Sequence, residues 1–217
     1  MAQRRQFPIQ HRYDARLVDS DGAQKNGIEK VKDKMVGRGV LLDIARHIGV
    51  DSLDEGIAIT NEDLDACAEA QGVEVRRGDF VLCRTGMIEQ RLRDGEWGGY
   101  AGGDAPGLAF ETAEWIHGHE IAAICCDTWG CEVRPNETTE AQQPWHWVVI
   151  PMIGISMGEI FNMGELAEDC ADDVGAVHYP VGGDSGANHV LATVGIFVHC
   201  YSSCVCGPGL PRRMQLR

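Results

Sequence analysis

The chain has 217 residues, a formal net charge of -14, and hydrophobic and charged fractions of 44% and 24%. This length suits one domain with a real core, and the composition is that of an ordinary globular protein. The acidic balance argues against nucleic acid or an anionic membrane as partner, because phosphates would be repelled. No apolar stretch has the eighteen or so residues that a membrane helix needs, so we expect no membrane partner.

The nine cysteines are an odd number, and the N-terminal residues are polar and basic rather than typical of a secretory signal. We therefore expect reduced thiols and a cytoplasmic location. Cys200, Cys204 and Cys206 lie beside His199 and raise the possibility of zinc. No second ligand pair has a suitable spacing, so the sequence does not favour a zinc site there.

Helices and strands alternate along the chain, which predicts an α/β fold. Asp43 ends an apolar strand and is expected to accept hydrogen bonds there. Arg84 and Thr85 end another strand, where α/β proteins bind ligands. The predicted elements are an exposed helix at 27–35, a strand at 40–45, a helix from the Thr60 cap to Gly72, a strand at 80–84, a glycine-rich loop at 97–107, a helix at 108–120 and a strand at 121–128.

Residues 143–169 organise the chain, because a near-unbroken apolar run lies there between a lone His146 and a lone Glu159. The run predicts a buried helix followed by a strand. An imidazole and a carboxylate flanking it could share one divalent cation. The residue types alone favour ordinary capping and surface roles, because a ligand set needs three or four groups. Trp147 is expected in the core and Asp127 at a strand end.

Four segments occur in order along the chain: GIEKVKDKMVGRGVLLDIARH, GDFVLCRTG, LAFETAEWIHGHEIAAICCDTWGCEVRPNE and PWHWVVIPMIGISMGEIFNMGELAEDCADD. Together they resemble the cyclase family of metal-dependent hydrolases, which includes kynurenine formamidase. The resemblance runs over about residues 13–173 and implies the swivelling β/β/α architecture of that family. In its best-known members it also implies hydrolysis of an aryl formamide such as N-formylkynurenine, and other members act on other amides and esters.

The resemblance implies a divalent-metal centre, zinc or manganese, whose late ligands would be His146 and Glu159. Such a metal would activate water and polarise the carbonyl under attack. The early H-x-x-T-H-x-D-x-x-x-H segment, which supplies further ligands in the family, does not occur in this sequence. A truncated gene model is one hypothesis for its absence, and transcript sequencing would test it.

The sequence therefore predicts an α/β, swivelling β/β/α cyclase-like domain over residues 1–173, incomplete at its N-terminus. Residues 174–217 are predicted to be an atypical, poorly ordered tail. Two functional hypotheses remain open. The first is a metal-dependent amide hydrolase of the arylformamidase type, acting in tryptophan catabolism on a small-molecule amide or ester, and expected as a homo-oligomer. The second is an inactive remnant or non-catalytic partner subunit of the same fold.

Overall fold

The structure is a computed structural model and describes residues 15–25, 30, 35, 37–172 and 179–180. In that part of the chain the strands are β1 (Val18–Asp19), β2 (Gly22–Ala23), β3 (Arg38–Asp43), β4 (Ala58–Ile59), β5 (Phe80–Arg84), β6 (Gly107–Leu108), β7 (Ala123–Cys126), β8 (Ser156–Gly158) and β9 (Tyr179–Pro180). The helices are α1 (Ile44–Ile48), α2 (Asn61–Ala70), α3 (Met87–Asp94), α4 (Thr112–His119), α5 (Pro144–Val148) and α6 (Gly164–Asp172). A 3-10 turn (Ala15–Leu17) precedes β1, and a π-helical turn (Val149–Ile153) continues α5.

The main sheet has the strand order β8-β7-β5-β3-β9 within the described residues. Strands β3, β5, β7 and β8 are parallel to their neighbours, and β9 pairs antiparallel with β3 at one edge. Parallel strands with helical connections are covered on both faces, which explains their near-continuous apolar sequences. The predicted α/β class is confirmed.

Neighbouring residues of each strand point to opposite faces of the sheet, and each face has its own apolar cluster. One face packs against α2, α4 and α5, with Leu42, Ile124 and Trp145 in the cluster. The other face packs Leu41 and Leu82 against α6. The sheet is therefore the middle layer of three.

Helix α2 begins at the predicted cap. The Thr60 side chain accepts from the Asp63 N–H, and the Asp63 carboxylate accepts from the Thr60 N–H. Helix α3 was not predicted, although Met87 and Ile88 bury an apolar side and basic residues lie in its last turn. It starts after Gly86, whose φ of +81° and close approach to the Asp51 carbonyl exclude a Cβ.

The predicted helix at 108–120 begins only at Thr112, because Gly107–Leu108 pairs with β4 as a short parallel strand. The expectation that Trp147 is a core residue is wrong, since 66% of its surface is exposed. Trp145 occupies the core instead, because it and Val149 are four residues apart on the inward side of the helix.

Several sequence predictions fall outside the described residues. They are most of the exposed helix at 27–35, the cysteines at 200–206, and the tail at 174–217 apart from Tyr179–Pro180, which forms β9. Where the chain is described, no helix is both long and apolar enough to cross a bilayer.

Asp127 joins the ends of β5 and β7. Its carboxylate accepts hydrogen bonds from the N–H groups of Thr85 and Gly86 at 2.6–3.0 Å, and from the Thr85 hydroxyl at 2.8 Å. Burial raises the pKa of Asp127 to about 6, against the hydrogen bonds from Thr85 and Gly86, which lower it. Desolvation of the carboxylate therefore outweighs three good donors.

Because the folded protein holds the Asp127 proton more tightly than the unfolded chain, its contribution to stability is greatest below pH 4. It declines as the pH rises towards 6. We expect the advantage of wild type over Asp127→Asn in free energy of unfolding to shrink over this range, by on the order of 3 kcal/mol. Denaturant unfolding of both proteins between pH 4 and 8 measures this difference. Asp104→Asn, at an exposed position, should show no such trend, and a pH-independent difference for Asp127→Asn would contradict the prediction.

Candidate functional site

The carboxyl ends of the four parallel strands lie at one edge of the main sheet. Asp43, Arg84, Asp127 and Glu159 end or directly follow β3, β5, β7 and β8. Open α/β sheets bind ligands outside these strand ends, so binding or catalytic residues are expected at this edge.

Arg84 is fully engaged by two carboxylates. Its Nη1 donates to Asp43 Oδ1 at 2.7 Å, and its Nε and Nη2 form a two-pronged contact with Glu89. All three residues are buried, so removing one partner would leave an uncompensated charge. Asp43 also accepts from the Arg46 N–H at the start of α1. This is the acceptor role that its strand-end position predicts, and each of the three Arg84 nitrogens already donates to a carboxylate.

The structure brings His146 and Glu159 together. His146 lies on α5, Glu159 follows β8, and His146 Nε2 is 3.4 Å from Glu159 Oε1. The ring is buried, and only 11% of the Glu159 side chain is exposed. The pair lies beside the carboxyl edge, and its role as a pair of metal ligands stays a prediction.

Glu132 is the member of this site that the sequence analysis missed. It is 2% exposed, and its Oε2 lies 3.2 Å from His146 Nδ1, across the ring from Glu159. The same oxygen accepts from the His146 backbone N–H at 3.2 Å, and Oε1 accepts from Asn136 Nδ2 at 2.7 Å. We call His146, Glu132 and Glu159 the His146 cluster. An acidic residue in an aperiodic turn gives no sequence signal of burial, so the sequence alone could not identify Glu132.

The two carboxylates determine the charge of the imidazole. Burial lowers the pKa of His146, but hydrogen bonds and attraction from Glu132 and Glu159 outweigh it and raise the pKa to about 9. Without a cation the ring is therefore held as an imidazolium between two carboxylates. A cation on one side would replace that proton.

Left-handed backbone is concentrated around the His146 cluster. Among the described non-glycine residues, Glu120, Cys131, Gln143 and Ile160 have positive φ. Cys131 precedes Glu132, Gln143 caps α5, and Ile160 follows Glu159. For a β-branched residue such as Ile160, a φ of +64° is a strained conformation costing about 1–3 kcal/mol. Such strain often marks positions where geometry serves function.

The donor set fits part of a divalent-metal centre. Two ligands about 2.1 Å from a tetrahedral cation are about 3.4 Å apart, as His146 Nε2 and Glu159 Oε1 are. Glu132 faces the other ring nitrogen, so it cannot bind the same cation. Over the described ranges no group of three His, Cys, Asp or Glu side chains could hold a metal ion. The spacing of the pair is compatible with two ligands of such a centre, and their role as ligands stays a prediction.

Comparison with known proteins identifies the fold. The cyclase family model matches residues 11–133. A crystal structure described as a novel cyclase is 34% identical, covers 76% of this chain and 54% of its own, and has a TM-score of 0.66. Isatin hydrolase A from Ralstonia solanacearum is 18% identical over 60% of this chain and 49% of its own, with a TM-score of 0.49. No curated protein matches the chain.

Isatin hydrolase A from Labrenzia aggregata, bound to benzyl benzoate, is 18% identical, covers 61% of this chain and 51% of its own, and has a TM-score of 0.49. This likeness, like that of the Ralstonia enzyme, is too low to indicate a shared activity. The chain spans about half the length of each of these three solved structures. The family match and the 34% identity agree with the cyclase-like fold expected from the sequence. The chain belongs to the cyclase family.

Proposed function

We propose that the protein is a metal-dependent amide hydrolase of the arylformamidase type, acting on a compound such as N-formylkynurenine. The observation that carries the proposal is the 3.4 Å separation of His146 Nε2 and Glu159 Oε1 beside the carboxyl edge of the sheet. Membership of the cyclase family supports it. The substrate class comes from the resemblance of four segments to kynurenine formamidase and its relatives.

Each residue of the site has a distinct part in this proposal. A divalent cation, zinc or manganese, would supply Lewis-acid polarisation of the amide carbonyl and acidify a water molecule. His146 and Glu159 would bind it, and burial of both side chains keeps competing water away from the pair. Asp127 is occupied by Thr85 and Gly86, so in this proposal it holds the strand ends in place rather than contacting the substrate.

The metal pair can be tested directly. We expect wild type to bind zinc or manganese, and His146→Ala and Glu159→Ala each to weaken binding by about 100-fold or more, since even residues that only support a ligand contribute 10–100-fold. Isothermal titration and elemental analysis after dialysis measure this. His117→Ala removes an exposed histidine and should leave affinity unchanged. Equal affinity in all four proteins would refute the assignment of ligands.

Turnover is a separate prediction. We expect the metal-loaded protein to hydrolyse N-formylkynurenine, with activity lost on chelation and restored by the same metal. Release of kynurenine, followed by its absorbance, is the measurement. Bound metal with no turnover of this or other aryl formamides would contradict the substrate class and leave the metal site standing.

A second candidate is a non-catalytic remnant or partner subunit of the same fold. The observation in its favour is that a carboxylate lies within 3.4 Å of each ring nitrogen of His146, so that an imidazolium is paired on both sides without a cation. Sub-stoichiometric metal together with absent turnover would support this candidate over the hydrolase.

The proposal includes a homo-oligomer in a reducing compartment such as the cytoplasm. Large apolar side chains of Trp147, Met152 and Ile160 are exposed near the site, where a second copy could cover them. The cysteines that the structure describes as free support reducing conditions. Light scattering after gel filtration measures the oligomeric state.

A further inference from the structure

We propose that Arg134 binds the carboxylate of the substrate, so that the site selects aryl amides that carry a carboxylate, such as N-formylkynurenine, over analogues without one. The inference rests on the proposed function and names the residue that would recognise the end of the substrate opposite to the formamide group. The family match ends at residue 133, and the predicted ligand pair does not include Arg134.

The first argument is that the positive charge of Arg134 has no carboxylate partner within the described ranges. Three other half-buried or buried arginines, Arg38, Arg84 and Arg91, each form an ion pair with an acidic residue. Arg134 is half-buried too, but its Nη1 donates to the amide oxygen of Asn136 at 2.6 Å, and its buried Nε has no partner. Charged groups withdrawn from water are normally paired. A ligand carboxylate would complete this one.

The second argument is that the guanidinium of Arg134 is held in position before any ligand binds. Its Cζ lies 5.5 Å from the centre of the Trp129 ring, which is within the range of a cation–π contact. The Trp129 indole N–H donates to the Gly103 carbonyl at 3.1 Å, and the Arg134 backbone exchanges two hydrogen bonds of 2.9 Å with Ala105. The glycine-rich loop therefore supports both members of the contact. An ordered guanidinium loses less conformational entropy on binding a carboxylate.

The third argument is the position of Arg134 beside the His146 cluster. Arg134 Nη1 donates to Asn136 Oδ1, and Asn136 Nδ2 donates to Glu132 Oε1 at 2.7 Å. One side chain thus connects Arg134 to the carboxylate that faces His146. The formamide and the carboxylate lie at opposite ends of N-formylkynurenine. A cation adjoining the cluster, but outside it, is therefore where the carboxylate end is expected.

The charge of the His146 cluster makes a separate cation necessary for binding a carboxylate. The imidazolium offsets one of the two negative charges there, and a divalent cation in place of its proton would offset both. Neither state leaves excess positive charge, and the chain as a whole carries a formal net charge of -14. Arg84, the buried cation at the same edge, already donates to two carboxylates. A guanidinium–carboxylate hydrogen bond is charge-assisted, so Arg134 supplies an attraction that the His146 cluster does not.

Turnover of N-formylkynurenine and of N-formylkynuramine, which lacks only the carboxylate, tests the proposal in metal-loaded wild type and variants. We expect Arg134→Gln to lower the ratio of the two kcat/KM values by about 10–100-fold, mainly through a higher KM for N-formylkynurenine, because a hydrogen bond between charged groups is lost. Arg134→Lys keeps the charge and should retain part of the preference.

The matched control is Arg93→Gln. Arg93 is exposed and, like Arg134, donates to an amide oxygen, that of Gln90. This variant should keep the wild-type ratio. If Arg134→Gln lost activity equally on both substrates, its role would be structural, and that result or an unchanged ratio would overturn the inference while leaving the proposed function intact.

A binding measurement that needs no turnover separates this inference from the proposed function. Kynuramine is kynurenine without its carboxylate, and isothermal titration of wild type should show about tenfold or greater preference for kynurenine. Arg134→Gln should lose that preference. Equal affinities in wild type, or no binding of either compound, would overturn the inference even if Arg134→Gln fails to fold. Absent turnover of both formamides would overturn the proposed function, and the titration would then still decide whether Arg134 binds a carboxylate.

Discussion

A histidine buried between two carboxylates is the constraint around which this edge of the molecule is built. Desolvating three ionisable groups together is costly unless their charges compensate. Glu132 and Glu159 face opposite nitrogens of the His146 ring, so the imidazolium offsets one of their two negative charges. This requires the turn after β7, the start of α5 and the segment after β8 to meet at one point. The left-handed residues Cys131, Gln143 and Ile160 are where the backbone bends to achieve it.

The ends of strands β3, β5 and β7 also carry buried charged groups, but these groups have different partners from those of His146. Arg84 lies between Asp43 and Glu89, and each of its three nitrogens donates to one of these carboxylates. Asp127 is satisfied by backbone N–H groups instead. The contrast separates groups that hold the sheet edge together from the His146 cluster, where the proposed cation would replace a proton. Chemistry is therefore expected beside β8 rather than beside β3 or β5.

The sequence predicts elements well where the signal is local. The Thr60 cap, strand β5 and the helix–strand pair around residues 144–158 follow from periodicity and capping residues. Helix α3 was missed because Thr85-Gly86 and the following charged residues suggested only a turn. Glu132 could not be predicted, since its burial depends on Asn136 and His146, which reach it through tertiary packing. His146 and Glu159 were singled out because they flank the apolar run, and the family resemblance favoured the reading that they are metal ligands. Their spacing alone could not show that they converge.

Trp147 gives the site a natural optical reporter. It adjoins His146 in the chain yet is 66% exposed, whereas Trp145 is buried with its indole N–H bonded to the Thr112 hydroxyl. Solvent-facing indole fluorescence responds to collisional quenchers and to nearby paramagnetic ions, whereas the buried ring is shielded. The exposed Trp97 can be replaced by phenylalanine so that it does not contribute to the signal. Quenching of the Trp147 emission would then report an ion bound at this edge without an attached label.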